Sequence, residues 1–311
     1  MTCYHPLLAY RDNYGGITFN KPHRLAPMGF NLPCGQCIGC RLRNSRDWAV
    51  RCIHEAQMHK ENCFITLTFS PEALAARENP YSIDLRDFQL FMKRLRKKFG
   101  NNIRFFHVGE YGEKNRRPHY HALLFGLNFD DKELLHKSGG ISLYTSKTLQ
   151  ELWPYGFSTI GDVTFESAAY CARYCLKKIN GDKKEEHYNY ICPETGEIIK
   201  ITPEYATMSR GNNYPAHDPR HTRGLGYSWF KKYQKDVFPH DYVVIRDKLK
   251  LSPPNYYLDL LNEEERGEVK QKRIKNSGPL IDKYDENMDR LWVQEECKKR
   301  ALEQLLRKLE Q

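Results

Sequence analysis

The chain has no run of about 18 consecutive apolar residues, the length a helix needs to cross a bilayer, and no apolar signal core near its start. Membrane insertion and secretion are therefore not expected. Acidic residues are outnumbered: 39 Asp and Glu stand against 49 Lys and Arg, a formal net charge of +10 that suits an anionic polymer. A second His-X-Thr/Ser motif is missing, which disfavours a two-histidine phosphodiesterase. No Cys-X2-Cys pair faces the cluster at Cys34, although the chain carries 10 cysteines. In a reducing compartment that number argues for thiols or metal ligation rather than a disulfide framework. With 311 residues there is room for one sizeable domain plus appendages, or for two domains.

What is present is concentrated in Arg117-Pro118-His119-Tyr120-His121-Ala122-Leu123-Leu124-Phe125. Two imidazoles at i and i+2 in a β-favouring run point to one face of a strand. A second β-like run, Ile103 to Gly109, ends at Glu110, and the polar residues Tyr111 to Arg117 between the runs read as a hairpin turn. Folding about Glu113 to Arg116 sets Gly112 opposite Arg117 and Glu110 opposite His119. Cross-strand neighbours lie within about 5.5 Å, so Glu110, His119 and His121 can converge on one divalent cation. Two histidines and a carboxylate with open positions form a catalytic rather than a closed structural arrangement. A different register would put Glu113 or His107 in the place of Glu110, and two half-buried strand histidines with no metal are the plain alternative.

The run Phe165 to Lys178 ends at Asn180-Gly181, a common helix stop. Read as a helix, it sets Tyr170, Tyr174 and Lys177 along one face. Such tyrosines commonly pack in cores. As nucleophiles, with an ordinary pKa near 10, they need a base, a metal on the target phosphate, or a cation beside the phenolate. A metal-bearing strand facing this helix would supply those parts and yield a phosphotyrosine link to a nucleic-acid strand.

Residues 1–33 read as an irregular arm. Cys34, Cys37 and Cys40 follow with metal-ligand spacing, and Cys3 or Cys52 is the candidate fourth ligand of a structural Zn²⁺. Three ordinary loop thiols are the alternative. Arg41 to Lys60 reads as a helix and Phe64 to Phe69 as a strand. Asp84 caps a helix with Phe88, Phe91, Met92, Leu95 and Phe99 on one stripe, basic residues on the other face, and Gly100 at its end. Residues 127–148 read as an insertion, followed by a short helix at Leu149 to Trp153 and a strand at Tyr155 to Val163. Residues 181–222 read as loops, with His217 and His221 as solvated loop histidines. The last stretch, from Leu291 to Leu309, reads as an amphipathic packing or partner helix. The order of strands and helices implies an α+β fold with an antiparallel sheet and flanking helices.

Three segments in order resemble the HUH endonucleases: Phe64 to Phe69 their first core strand, Pro118 to His121 their metal motif, and Tyr170 to Lys178 their tyrosine motif. The paired tyrosines resemble the two-tyrosine subgroup. Pro33 to Arg41, Trp48 to Cys52 and Gly224 to Phe230 are similar to segments of the replication initiators of gokushoviruses, small phages of the Microviridae. The resemblance covers roughly residues 30–245. It implies an RRM-like (ferredoxin-like) core at 61–245, preceded by the arm, cysteine cluster and basic helix of 1–60 and followed by a charged helical extension at 246–311. It further implies Mg²⁺ or Mn²⁺ on Glu110, His119 and His121, Tyr170 and Tyr174 as alternating nucleophiles, and Lys177 or Lys178 as the nearby lysine. The expected substrate is the viral DNA origin, single-stranded or supercoiled. The expected setting is the bacterial host cytoplasm, with host polymerase and helicase as partners. A related transposase or plasmid initiator, or a non-catalytic zinc-stabilised DNA-binding protein, are the rival readings.

Overall fold

The computed structural model describes residues 3–12, 16–21, 29–112, 115–173, 178, 184–192, 195–211, 223–238, 240–246, 249–277 and 288–303. Its contacts divide the chain into two units, one of Ser45–Arg266 and one of Met1–Asn44 with Gly267–Gln311.

The larger unit is an α+β structure built on a seven-stranded sheet in which every described pair is antiparallel. In chain order, β4 is Asn62–Thr68, β5 Arg104–Tyr111, β6 Pro118–Phe125, β7 Lys132–Ser138, β8 Ile141–Ser146, β9 Ser158–Gly161 and β12 Tyr205–Met208; they lie side by side as β12-β5-β6-β4-β9-β8-β7. The smaller elements β10 (Asn189–Ile191) with β11 (Ile198–Lys200), and β13 (Val243–Arg246) with β14 (Leu249–Leu251), form separate hairpins.

Side chains alternate across the sheet, so each strand feeds two different environments. One face of β4 and β6 presents Ile65, Leu67, Tyr120, Ala122 and Leu124 to the main core. There the helix α3 (Leu85–Phe99, following α1 at Ile38–Ala56 and α2 at Pro71–Ala75) lays down Phe88, Phe91, Met92 and Leu95. Burying each of those four contributes about 1.5–3 kcal/mol, an upper estimate because the unfolded chain is itself partly compact. Asp84 caps α3 by accepting from the Arg86 N–H at 2.8 Å, and Gly100 closes it at φ 92°. Both ends lie where the sequence places them. Trp153 is fully buried and donates its indole N–H to the Thr68 carbonyl at 2.8 Å. Beside it, a Cβ on Gly156 would run into the backbone of Thr68 and Ser70, so only glycine lets the two segments approach.

The smaller unit departs from expectation. Residues 7–32 hold three antiparallel strands, β1 (Leu7–Arg11), β2 (Ile17–Thr18) and β3 (Phe30–Leu32), in the order β2-β1-β3. At five, two and three residues they are too short for a period-two pattern to register. The last described helix is Met288–Glu303; Leu291 is buried, while Leu305, Leu306 and Leu309 lie outside the described residues. Among the described residues no helix is long and apolar enough to cross a membrane.

Candidate functional site

The hairpin of β5 and β6 is the frame of the site. Its turn is closed by the Gly112 N–H donating to the Arg117 carbonyl at 3.0 Å, with Arg116 in the left-handed region at φ 48°. From that closure the ladder pairs Tyr111 with Pro118 and Glu110 with His119, the register counted from the turn in the sequence. Glu110, His119 and His121 then share the sheet face opposite the main core. Each offers a ligand atom, and these atoms lie within 4.8 Å of one another.

Glu110 Oε1 is the hub. It stands 3.2 Å from His119 Nε2 and 3.1 Å from His121 Nε2. Burial alone would raise the Glu110 carboxyl, but the hydrogen bonds and charge of the two histidines outweigh it and hold the group well below the usual carboxylate range. The Nδ1 atoms are tied elsewhere: His119 Nδ1 lies 3.1 Å from the Arg117 carbonyl and His121 Nδ1 2.9 Å from Thr66 Oγ1. A carbonyl oxygen only accepts, so His119 must donate through Nδ1. A neutral His119 therefore turns a bare Nε2 toward a carboxylate oxygen. Two facing acceptors require a cation between them. Donors about 2.1 Å from one ion and at right angles about it lie about 3.0 Å apart, so the observed separations fit a divalent metal. Three protein donors leave coordination positions for substrate.

Tyr170 reaches the same point from above. Its helix, α5 (Phe165–Ala172, after α4 at Lys147–Leu152), begins with a capping box in which Thr164 accepts from the Ser167 N–H and Ser167 from the Thr164 N–H. That start sets Tyr170 in the second turn, where its hydroxyl donates to Glu110 Oε1 at 3.1 Å and lies 3.3 Å from His121 Nε2. The ring is buried, edge-on to His121, with the Arg173 guanidinium 5.3 Å from its centroid. The helix was expected to run on to Lys178; it is described through Ala172 with Arg173 as its cap. Tyr174 and Lys177 lie outside the described residues, and Lys178 is half-buried.

The alternative third ligands separate from the group. His107 is fully buried on the other sheet face, stacked on Phe88 with ring centroids 3.5 Å apart and bonded to Thr207 Oγ1 at 3.0 Å. Loss of solvent keeps it well below the ordinary histidine range, and so neutral. Glu113 lies outside the described residues, as do His217 and His221.

In the smaller unit, Cys3, Cys34, Cys37 and Cys40 bring their sulfurs within 4.8 Å of one another. The fourth thiol is that of Cys3, not Cys52, which is buried on α1 in the larger unit. Cys3 and Cys37 sulfurs are 3.9 Å apart; four sulfurs 2.3 Å from one tetrahedral ion would be about 3.8 Å apart. Backbone N–H groups aim at the sulfurs: Cys34 N to Cys3 Sγ at 3.2 Å, Cys37 N to Cys34 Sγ at 3.2 Å, Tyr4 N to Cys37 Sγ at 3.3 Å. Burial works against ionisation, yet donors including the Tyr4 and Cys40 N–H groups bring the Cys37 thiol down to about 7. Such amide donors suit thiolates bound to a cation. From the helix Met288–Glu303, Glu295 bonds His5 at 2.7 Å and the Ile38 N–H at 3.5 Å, so the cluster has a second shell from that helix.

Sequence reading missed Thr66, Cys3 as the sole partner of the cysteine run, and Glu295. Only the strand pairing reveals Thr66, which sits directly across from His121.

A family model for replication-associated proteins of the ORF2 type matches residues 62–179, a span that contains Glu110, His119, His121 and Tyr170 and omits the four clustered cysteines. Replication-associated protein VP4 of Bdellovibrio phage phiMH2K is 30% identical over 269 residues, which is 83% of this chain and 76% of that protein. Replication-associated protein ORF2 of Spiroplasma virus 4 is 33% identical over 261 residues, 79% of this chain and 73% of that protein. Replication-associated protein ORF4 of Chlamydia phage 1 is 34% identical over 165 residues, 50% of this chain and 40% of that protein. No solved structure matches the chain.

Proposed function

The chain belongs to the family of replication-associated proteins of Microviridae-like phages, and on that premise we propose that it is a rolling-circle initiator, a metal-dependent HUH endonuclease and strand transferase with a tyrosine nucleophile. The observation that carries this reading is the meeting of one phenol with the two-histidine, one-carboxylate group, Tyr170 Oη lying 3.1 Å from Glu110 Oε1 and 3.3 Å from His121 Nε2. A buried tyrosine needs no such neighbours in order to pack. An antiparallel sheet with the hairpin at its centre and α3 and α5 on opposite faces supports an RRM-like catalytic core within 61–245.

Glu110, His119 and His121 would hold Mg²⁺ or Mn²⁺. When bound, that ion supplies polarisation of the scissile phosphate and neutralisation of its developing charge. The chain's own groups do the rest. The tyrosine oxygen attacks the phosphorus in line with the leaving 3′-oxygen. The P–O3′ bond breaks, the phenolic proton passes toward the Glu110 carboxylate that already accepts it, and a proton from water completes the free 3′-hydroxyl. The 5′-phosphate remains esterified to tyrosine, so the phosphodiester's energy is kept and rejoining needs no ATP. The released 3′-hydroxyl is offered to a host polymerase, with a host helicase opening the duplex in the host cytoplasm. After one circuit the second tyrosine of the Tyr170/Tyr174 pair attacks the regenerated junction, and the circle is sealed. Lys177 or Lys178 would stabilise the phenolate. Cys3, Cys34, Cys37 and Cys40 would hold a Zn²⁺ that orders the smaller unit.

The test is a denaturing gel after incubation with oligonucleotides tiling the viral strand and Mn²⁺. Wild type should form a protein–DNA adduct, and Tyr170→Phe with Tyr174→Phe should form none. An adduct surviving in the double variant removes the nucleophile assignment.

A further inference from the structure

The two histidines of the Glu110 group are oriented by different means. His119 is held by main chain, its Nδ1 bonded to the Arg117 carbonyl two residues back, at 3.1 Å. No side-chain replacement touches that bond. His121 is held by a side chain, Thr66 Oγ1, at 2.9 Å from Nδ1. Thr66 lies on β4, which is paired with β6 over Asn62 to Thr68 and with β9 over Phe64 to Leu67. Its backbone is thus fixed from both sides, and a β-branched side chain has little χ1 freedom. The register sets Thr66 directly opposite His121, and the Phe64 ring, two residues back on the same face, stacks on the imidazole at 5.6 Å between centroids and 12° between planes. Stacking fixes the plane of the ring but leaves open which nitrogen faces Glu110. The hydroxyl settles that.

Resting on the metal-dependent reading above, we propose that Thr66 is a positioning residue, whose hydroxyl accepts the Nδ1 proton of His121 and leaves Nε2 bare toward the cation held with Glu110 and His119. Without it, a neutral His121 can place its proton on Nε2 and donate to Glu110 Oε1 at 3.1 Å, which takes one nitrogen and part of the carboxylate from the metal at once. The hydroxyl therefore acts on the affinity of the group rather than on its presence. Losing an outer-shell partner of a ligating histidine typically costs about 10- to 100-fold in metal affinity.

The experiment uses the full chain, with Mn²⁺ binding followed by electron paramagnetic resonance titration and unfolding followed in EDTA. Thr66→Val, which keeps the β-branched shape, should weaken Mn²⁺ binding about 10- to 100-fold while its unfolding midpoint in EDTA stays at the wild-type value. Thr66→Ser, which restores the hydroxyl, should bring affinity back to within about threefold of wild type, a shift of under 1 kcal/mol. Valine binding Mn²⁺ as tightly as wild type, or serine binding as weakly as valine, overturns the assignment. If wild type binds Mn²⁺ and the variants behave as expected but no DNA adduct forms, the strand-transfer reading fails and Thr66 keeps its role. If wild type takes up no Mn²⁺, both are overturned.

Discussion

Two clusters of metal-type ligands are assembled by opposite strategies. Glu110, His119 and His121 stand on adjacent strands in the middle of a sheet, where the ladder dictates their spacing. Cys3, Cys34, Cys37 and Cys40 come from the chain's first residues, a loop and the start of α1, where only the sulfurs' common centre dictates it. The sheet-borne group has three protein donors and a phenol beside them; the cysteine group has four thiols ringed by backbone N–H donors. A rigid frame with open positions suits chemistry, and a closed set on flexible segments suits stabilisation.

That contrast can be broken in order of size. Replacing Cys34 and Cys37 together by Ser should cost most, because binding energy in a structural zinc site is folding energy, about 10 kcal/mol or more in small zinc domains. The expected result is loss of one zinc per chain by elemental analysis and rapid proteolysis of the amino-terminal residues. Zinc-free wild type that resists protease equally would assign the cysteines to ordinary packing. Next, His119→Ala with His121→Ala should lower the nicking rate about 10³-fold, near 4 kcal/mol, while DNA binding remains measurable by anisotropy. Undiminished nicking rejects the metal assignment. Brief EDTA treatment should then discriminate the two groups: nicking is lost and returns with Mn²⁺, while zinc content stays constant. Simultaneous loss of both metals would erase the distinction between open and closed sites. The smallest effect is Asp84→Ala, which removes the α3 cap and should cost about 1 kcal/mol in urea unfolding with nicking unchanged.

How much of this was legible in the sequence depended on whether local rules or distant pairings decided each element. The hairpin was legible because its polar turn fixes the register and a one-residue slip would reverse every side chain. The stripe of α3 was legible because Phe88, Phe91, Met92 and Leu95 repeat at helical spacing behind an Asp cap. The hairpin β7–β8 lay inside what read as an insertion, although its turn residues Gly139 and Gly140, at φ 56° and 80°, carry a known hairpin signature. The strand β12 was hidden for a different reason: all four residues of Tyr205–Met208 are half-buried, so no alternation marks them, and only pairing with β5 defines the strand. Thr66 and Cys3 were invisible for the same cause, since each acquires its role from a partner 55 and 34 residues away.

The most direct measurement is mass spectrometry of the peptide containing Tyr170 and Tyr174 after incubation with viral-strand oligonucleotides and Mn²⁺. The account predicts a nucleotide mass on one of these tyrosines, absent in EDTA and absent in the His119→Ala, His121→Ala variant. A nicked product with no modified tyrosine, or a modified tyrosine that persists without the metal and the histidines, contradicts it.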